Sequence, residues 1–201
     1  MGAPAGTGLN VPNLLTWLRI ALIPVFVLVF YLLPAPLNHL VTTIVFALAG
    51  VTDWLDGYLA RRLDQQSAFG AFLDPVADKL MVAVALILLV GSQGDGFQGA
   101  LLAIPAAVIV GREIAVSALR EWMANAGEGT RVAVNMVGKV KTTAQMLAIG
   151  MLLYHEPVGP FPTLLAGYVL LYLAAGLTLW SMFKYLRSAW STLTGGGPGP
   201  A

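Results

Sequence analysis

Four aspartates, Asp53, Asp56, Asp74 and Asp78, are the residues of this 201-residue chain best suited to chemistry. They stand in Asp53-Trp-Leu-Asp56-Gly57-Tyr-Leu-Ala60-Arg61 and in Gly70-Ala-Phe-Leu-Asp74-Pro-Val-Ala-Asp78. Spacings of i,i+3 and i,i+4 put each pair on one face of a helix. An ionisable side chain at membrane depth is costly and marks function. Four acids of one sign need a cation, and hard carboxylate oxygens suit magnesium, manganese or calcium. Two divalent ions bridged by shared carboxylates would clamp a diphosphate and stabilise a leaving phosphate. A fourth carboxylate at the edge could take a proton from an attacking hydroxyl. The competing arrangement, salt bridges to Arg61, Arg62 and Lys79, leaves more acids than inward-pointing bases.

These acids lie in a chain that is 58% hydrophobic and 10% charged, with a mean hydropathy of +0.79. Soluble domains carry about 25% charged residues, so an all-α integral membrane protein is expected. The net charge of +1, without a basic tail or stripe, gives no footing for nucleic acid. The absence of cysteine excludes disulfides, thiolate catalysis and cysteine-type zinc sites. His39 and His155 are too isolated for a histidine metal site and are expected in loops at the membrane surface. Met1 to Asn13 lacks the basic region of a cleavable signal peptide.

Six stretches are apolar and long enough to span a bilayer: 14–33, 38–62, 70–91, 99–123, 132–154 and 161–187. Turn formers separate them at Pro34–Pro36, Gly91–Gly96, Ala126–Gly129 and Pro157–Pro160. The expected organisation is an N-terminal juxtamembrane segment, 1–13, lying along the interface, a six-transmembrane-helix bundle, 14–190, and a disordered Gly/Pro-rich tail, 191–201. No internal repeat is visible. The second and third helices read as a hairpin turning at Asp64–Ser67. The loops at 34–37, 92–98 and 155–160 hold no Lys or Arg, so they lie outside and both termini lie in the cytoplasm.

That topology gathers the polar residues into one layer. Asp53 and Asp56 fall near the inner end of the second helix, and Asp74 and Asp78 near the inner start of the third. Arg112, Lys139 and Lys141 fall in the inner halves of the fourth and fifth. Together they would hold an anionic group beside the acids, although the two lysines could instead snorkel to the interface. Arg112 and Glu113 could also pair with each other. Gly57 and Ala60 would let a ligand approach the backbone closely or let helices pack, and Gly70 could simply open its helix. Gly167 and Gly176 could pack the last helix within or between subunits. A cation transporter is the main reading from another class. It would show broken helices or repeats, and no polar path continues into the outer half.

The signature Asp-x-x-Asp-Gly-x-x-Ala-Arg, eight residues, Gly-x-x-x-Asp-x-x-x-Asp is complete from Asp53 to Asp78 and resembles that of the CDP-alcohol phosphatidyltransferase family. The resemblance extends to Val11–Arg19, Gly111–Met123 and Gly138–Met146. It implies six transmembrane helices, a homodimer and a divalent-metal site, with two Mg2+ or Mn2+ ions, facing the cytoplasm from a bacterial inner membrane. By resemblance, Asp53, Asp56 and Asp74 bind metal, and Asp78 is both ligand and catalytic base. Gly57, Ala60, Arg61 and Gly70 would contact the CDP part of CDP-diacylglycerol. Arg112, Lys139 and Lys141 suit the phosphate of an sn-glycerol 3-phosphate acceptor. Sister members use inositol phosphate, serine or phosphatidylglycerol, for which the demand on positive charge differs.

Overall fold

A computed structural model describes residues 11–62, 68–94, 96–125 and 136–193. Six α-helices run through them: α1 (Val11–Leu32), α2 (Leu37–Arg62), α3 (Ala68–Ser92), α4 (Phe97–Asn125), α5 (Met136–Tyr154) and α6 (Thr163–Leu193). One isolated antiparallel bridge, Val158 to Phe161, closes the turn between α5 and α6. Helices follow from the composition, since in lipid each backbone N–H and C=O must find its partner within its own segment.

Leu14–Leu32, Leu37–Leu59, Phe97–Met123 and Thr163–Lys184 are long and apolar enough to cross a membrane. At 1.5 Å per residue, the 25 residues of α3 reach about 37 Å and the 19 of α5 about 28 Å. Both are comparable to a hydrocarbon core of about 30 Å. Val11 to Asn13 already belong to α1, and α6 continues to Leu193. Residues 1–10, 194–201 and the turn at 63–67 lie outside the described residues.

α3 is the central helix, packing on α1, α2, α4 and α5. Its Met81, Val82, Ala85, Leu86 and Leu89 are buried against Phe26, Phe46, Ile109 and Ile149. α5 and α6 form the most extensive pairing, followed by α1 and α2. The outside of the bundle is also apolar: Leu28, Ile44, Ile87, Ile104 and Leu165 are exposed. Contiguous apolar surface on this scale is a liability in water and a requirement in lipid. The chain is thus a multi-pass helical membrane protein.

The two histidines meet near the turns away from the aspartates. His39 lies in the first turn of α2 rather than in a loop, and its Nδ1 is 3.2 Å from Glu156 Oε1. Its ring packs on that of His155, with centroids 5.0 Å apart. Asp53 lies 14 residues further along α2, about 21 Å away along the axis. The histidines therefore have no part in the acidic layer.

The two glycines of α6 differ. A Cβ on Gly167 would stand 2.9 Å from Leu152 Cγ and 3.2 Å from the Leu152 backbone nitrogen, whereas one on Gly176 meets nothing within 4 Å. Gly167 is therefore where α6 approaches α5 closely, and Gly176 is not a contact of this kind within the subunit. Gly167→Ala should cost about 1–3 kcal/mol through overpacking and lower the melting temperature in detergent. Gly176→Ala should leave it within a few degrees of wild type, or above it, because alanine favours helix.

Candidate active site

α1 and α2 are joined by the short turn at 33–36, so residues similarly far from it lie side by side. This brings Arg19 of α1 against Asp53 and Asp56 of α2. Arg19 Nη1 donates to Asp53 Oδ1 at 2.7 Å, and Nη2 donates to Asp56 Oδ2. The side chains of Arg19 and Asp56 are 1% and 3% exposed, while that of Asp53 is 46% exposed. The pair of acids thus forms one wall of a site open on the Asp53 side. Arg19 Nε is buried with no hydrogen-bond partner among the described residues.

Asp78 of α3 lines a small cavity with Arg19, Gly50 of α2 and Met146 of α5. The charges of Asp53, Arg19, Glu113 and Lys79 all reach its carboxylate. Lys79 does not pair with the acids. It donates to Ser117 Oγ on α4, and that hydroxyl donates to the Glu113 backbone oxygen at 2.6 Å. Arg62 also turns elsewhere, donating to Tyr58 Oη at 2.6 Å. Among the described side chains, a base that pairs with Asp53 and Asp56 comes from α1.

A second charged cluster joins α4, α5 and α6. Glu113 Oε1 accepts from Arg112 Nη1 at 3.0 Å and from Lys141 Nζ at 2.7 Å. Arg112 Nη2 donates to Ser181 Oγ at 3.0 Å. Lys141 is buried, so it is drawn inward rather than snorkelling to the interface. Arg112 Nε, Gln145 Oε1 and Thr178 Oγ1 are buried without partners among the described residues. Gln145 lies one turn from Lys141, and Thr178 one turn from Ser181. A site with two bases, one acid and spare polar atoms can hold an anion with charge-assisted hydrogen bonds.

The structure therefore brings together Asp53, Asp56 and Asp78 in one cluster and Arg112 and Lys141 in another. Gly57 follows Asp56 on α2 and is partly buried. The backbones of Ala60, Arg61, Gly70, Asp74 and Lys139 lie in helices, with Asp74 one turn before Asp78; their side chains are outside the described residues, as is that of Arg120. The Arg112–Glu113 pair was one of the open readings of the sequence; Arg19 as partner of Asp53 and Asp56, and Glu113 as partner of Lys141, were not assigned. Arg19 carried a signal: it is a lone base well inside the apolar span Leu14–Leu32, where a charge demands a partner. The contact of Glu113 with Lys141, 28 residues further along the chain, carried none.

Among the described residues no three Asp, Glu or His side chains form a ready metal cluster. The chemistry of the donors still suits a hard divalent cation, because two carboxylates from one helix face converge on a single positive group. That group is a guanidinium on Asp53 Oδ1 and Asp56 Oδ2, so an ion taking those same two oxygens would have to displace it.

The family model for CDP-alcohol phosphatidyltransferases matches residues 9–180. The chain belongs to that family. It is 57% identical over 187 residues to CDP-diacylglycerol–glycerol-3-phosphate 3-phosphatidyltransferase of Pseudomonas fluorescens, covering 92% of each chain. It is 52% identical over 186 residues to the protein of the same name from Haemophilus influenzae, covering 92% of this chain and 95% of that one. A Yersinia pestis protein of that name is 52% identical over 185 residues, at 92% and 97% coverage. The acidic signature and both charged clusters fall inside the matched region.

Glu113 holds two bases in place, so Glu113→Ala leaves both without their acid. Breaking a buried pair in this way costs about 3–5 kcal/mol. Lys79→Met, which removes one hydrogen bond to a hydroxyl, should cost about 1–3 kcal/mol. Unfolding in mixed micelles should rank the two variants in that order.

Proposed function

We infer that the chain transfers a phosphatidyl group from CDP-diacylglycerol to sn-glycerol 3-phosphate, releasing CMP and forming phosphatidylglycerophosphate. The observation that carries this reading is the pairing of an acidic wall at Asp53, Asp56 and Asp78 with a basic cluster at Arg112 and Lys141 in one bundle. One substrate brings a diphosphate, and the other brings a phosphate of about two negative charges at neutral pH. Acids that bind cations suit the first, and two bases that share a single acid suit the second. The names of the relatives favour glycerol 3-phosphate over the acceptors of sister enzymes.

Asp53, Asp56, Asp74 and Asp78 would hold divalent cations, Mg2+ or Mn2+, two in each site. When bound, these would neutralise charge on the diphosphate and on the departing phosphate. Gly57, Ala60, Arg61 and Gly70 would lie along the CDP part. The apolar groove between α2 and α5, lined by Phe46, Gly50, Trp54, Met146 and Met151, passes beside Asp53 and suits an acyl chain. Arg112, Lys139 and Lys141 would hold the acceptor phosphate and leave its hydroxyl facing the phosphatidyl phosphorus. The new oxygen–phosphorus bond forms as the bridging phosphorus–oxygen bond to CMP breaks. Asp78 takes the hydroxyl proton. Holding both substrates in this geometry supplies much of the rate.

The bundle would work as a homodimer in a bacterial inner membrane, with the acidic layer on the cytoplasmic side, where the bases of the helix ends cluster. Its domain would run from 14 to 190, between a juxtamembrane segment, 1–13, and a disordered tail, 191–201.

The test is phospholipid formation in detergent with CDP-diacylglycerol and a panel of acceptors, with and without EDTA. Product is expected with glycerol 3-phosphate and Mg2+ or Mn2+ alone. Product with inositol phosphate, serine or phosphatidylglycerol in its place would reassign the acceptor. Asp78→Asn should abolish turnover while CDP-diacylglycerol binding stays measurable, and full activity in that variant would remove the base from the scheme. Lys141→Met should raise the KM for glycerol 3-phosphate tenfold or more, the loss of one charge-assisted contact of about 1.5–3 kcal/mol, with a far smaller change for CDP-diacylglycerol.

A further inference from the structure

Arg19 stands where the proposed function needs a metal. Its guanidinium fills the space between Asp53 Oδ1 and Asp56 Oδ2, in contact with both. Three features separate it from an ordinary structural ion pair. It comes from a different helix than the acids, so it can withdraw without moving them. Its partner Asp53 is 46% exposed, so one end of the pair is open to an incoming ion. Its Nε is buried without a partner among the described residues, so there the guanidinium lacks a full set of hydrogen bonds.

We propose that Arg19 is a place-holding cation that competes with the divalent ion for Asp53 and Asp56 and is displaced when the ion binds. The proposal rests on the metal-dependent reading above. A guanidinium and a divalent ion cannot share the same two carboxylate oxygens, because like charges at that separation repel strongly in a low-dielectric interior. Without either cation, the two acids would repel each other on one face of α2. Arg19 therefore keeps the empty acidic pair compatible with folding. Once displaced, the guanidinium still needs an anion at membrane depth. Asp78 lines the same cavity and lies within reach of its charge, so the side chain has a second acid to turn to. Arg19 acts through the metal ligands and is a positioning residue in this scheme.

The experiment measures Mn2+ binding to purified, detergent-solubilised protein by the loss of the free-ion paramagnetic resonance signal. Wild type, Arg19→Met, Arg19→Lys and Asp53→Asn/Asp56→Asn are compared, with melting temperatures taken with and without Mn2+. Arg19→Met is expected to bind Mn2+ at least tenfold more tightly than wild type, to melt lower without the ion and to gain more from adding it. Arg19→Lys, a point charge that cannot fork to both acids, should fall between them and stands in if Arg19→Met does not fold. The double asparagine variant should lose the binding. Equal or weaker Mn2+ affinity in the Arg19 variants, with binding in wild type that depends on the two aspartates, would overturn the place-holder alone. Absence of aspartate-dependent Mn2+ binding in every protein would overturn the metal reading and the place-holder together.

Discussion

A charge inside a lipid-embedded bundle cannot be left to water, and the contact of Arg19 with Asp53 and Asp56 is the strictest case in this protein. Arg19 and Asp56 are almost fully buried. Each would carry a large desolvation penalty alone, and their attraction offsets it only when the geometry is close. The pairing therefore constrains how α1 and α2 meet, and α3 packs against both helices. The apolar core along α3 places the helices that carry the chemistry, and Arg19 neutralises the acids held there.

The same constraint is met a second time with the signs reversed. On the α4, α5 and α6 side, one acid, Glu113, serves two bases, Arg112 and Lys141. On the α1 and α2 side, one base serves two acids. Among the described side chains, acids outnumber bases in the first cluster and bases outnumber acids in the second, so each suits a ligand of the minority sign. A cation completes the first, and an anion completes the second. Asp78 feels charges from both, which suits a group that would act between a metal-bound donor and a phosphorylated acceptor. A transporter would need the polar path to continue across the bundle. Here the core along α3 beyond Asp78 is Met81, Val82, Ala85, Leu86 and Leu89.

The number of helices was legible because lipid removes the alternatives: long apolar stretches broken by Pro and Gly have few structures open to them. Among the described residues, the boundaries agreed to within a few residues at the breakers Pro34–Pro36, Gly91–Gly96 and Pro157–Pro160. They drifted at Val11–Asn13, where Pro12 is tolerated in the first turn of α1. His39 was expected in a loop although the span 38–62 already held it; α2 starts at Leu37, which puts His39 in its first turn. The role of Gly167 was one of two open choices, and only its distance to Leu152 separates it from Gly176.

For the candidate site, residue type and spacing alone determined that Asp53, Asp56, Asp74 and Asp78 lie on single helix faces. Helical periodicity is local and is written in the spacing. They also determined that such acids in an apolar chain need a positive partner, since that follows from the surrounding medium. Which partner each would take was decided only by tertiary structure. Arg61, Arg62 and Lys79 are near the acids in sequence, yet Arg62 turns to Tyr58 and Lys79 to Ser117, while Arg19 reaches Asp53 and Asp56 from 34 and 37 residues away. Charge pairing depends on distances of a few ångströms between helices, and those are set by the packing of apolar side chains that carry no sign of it.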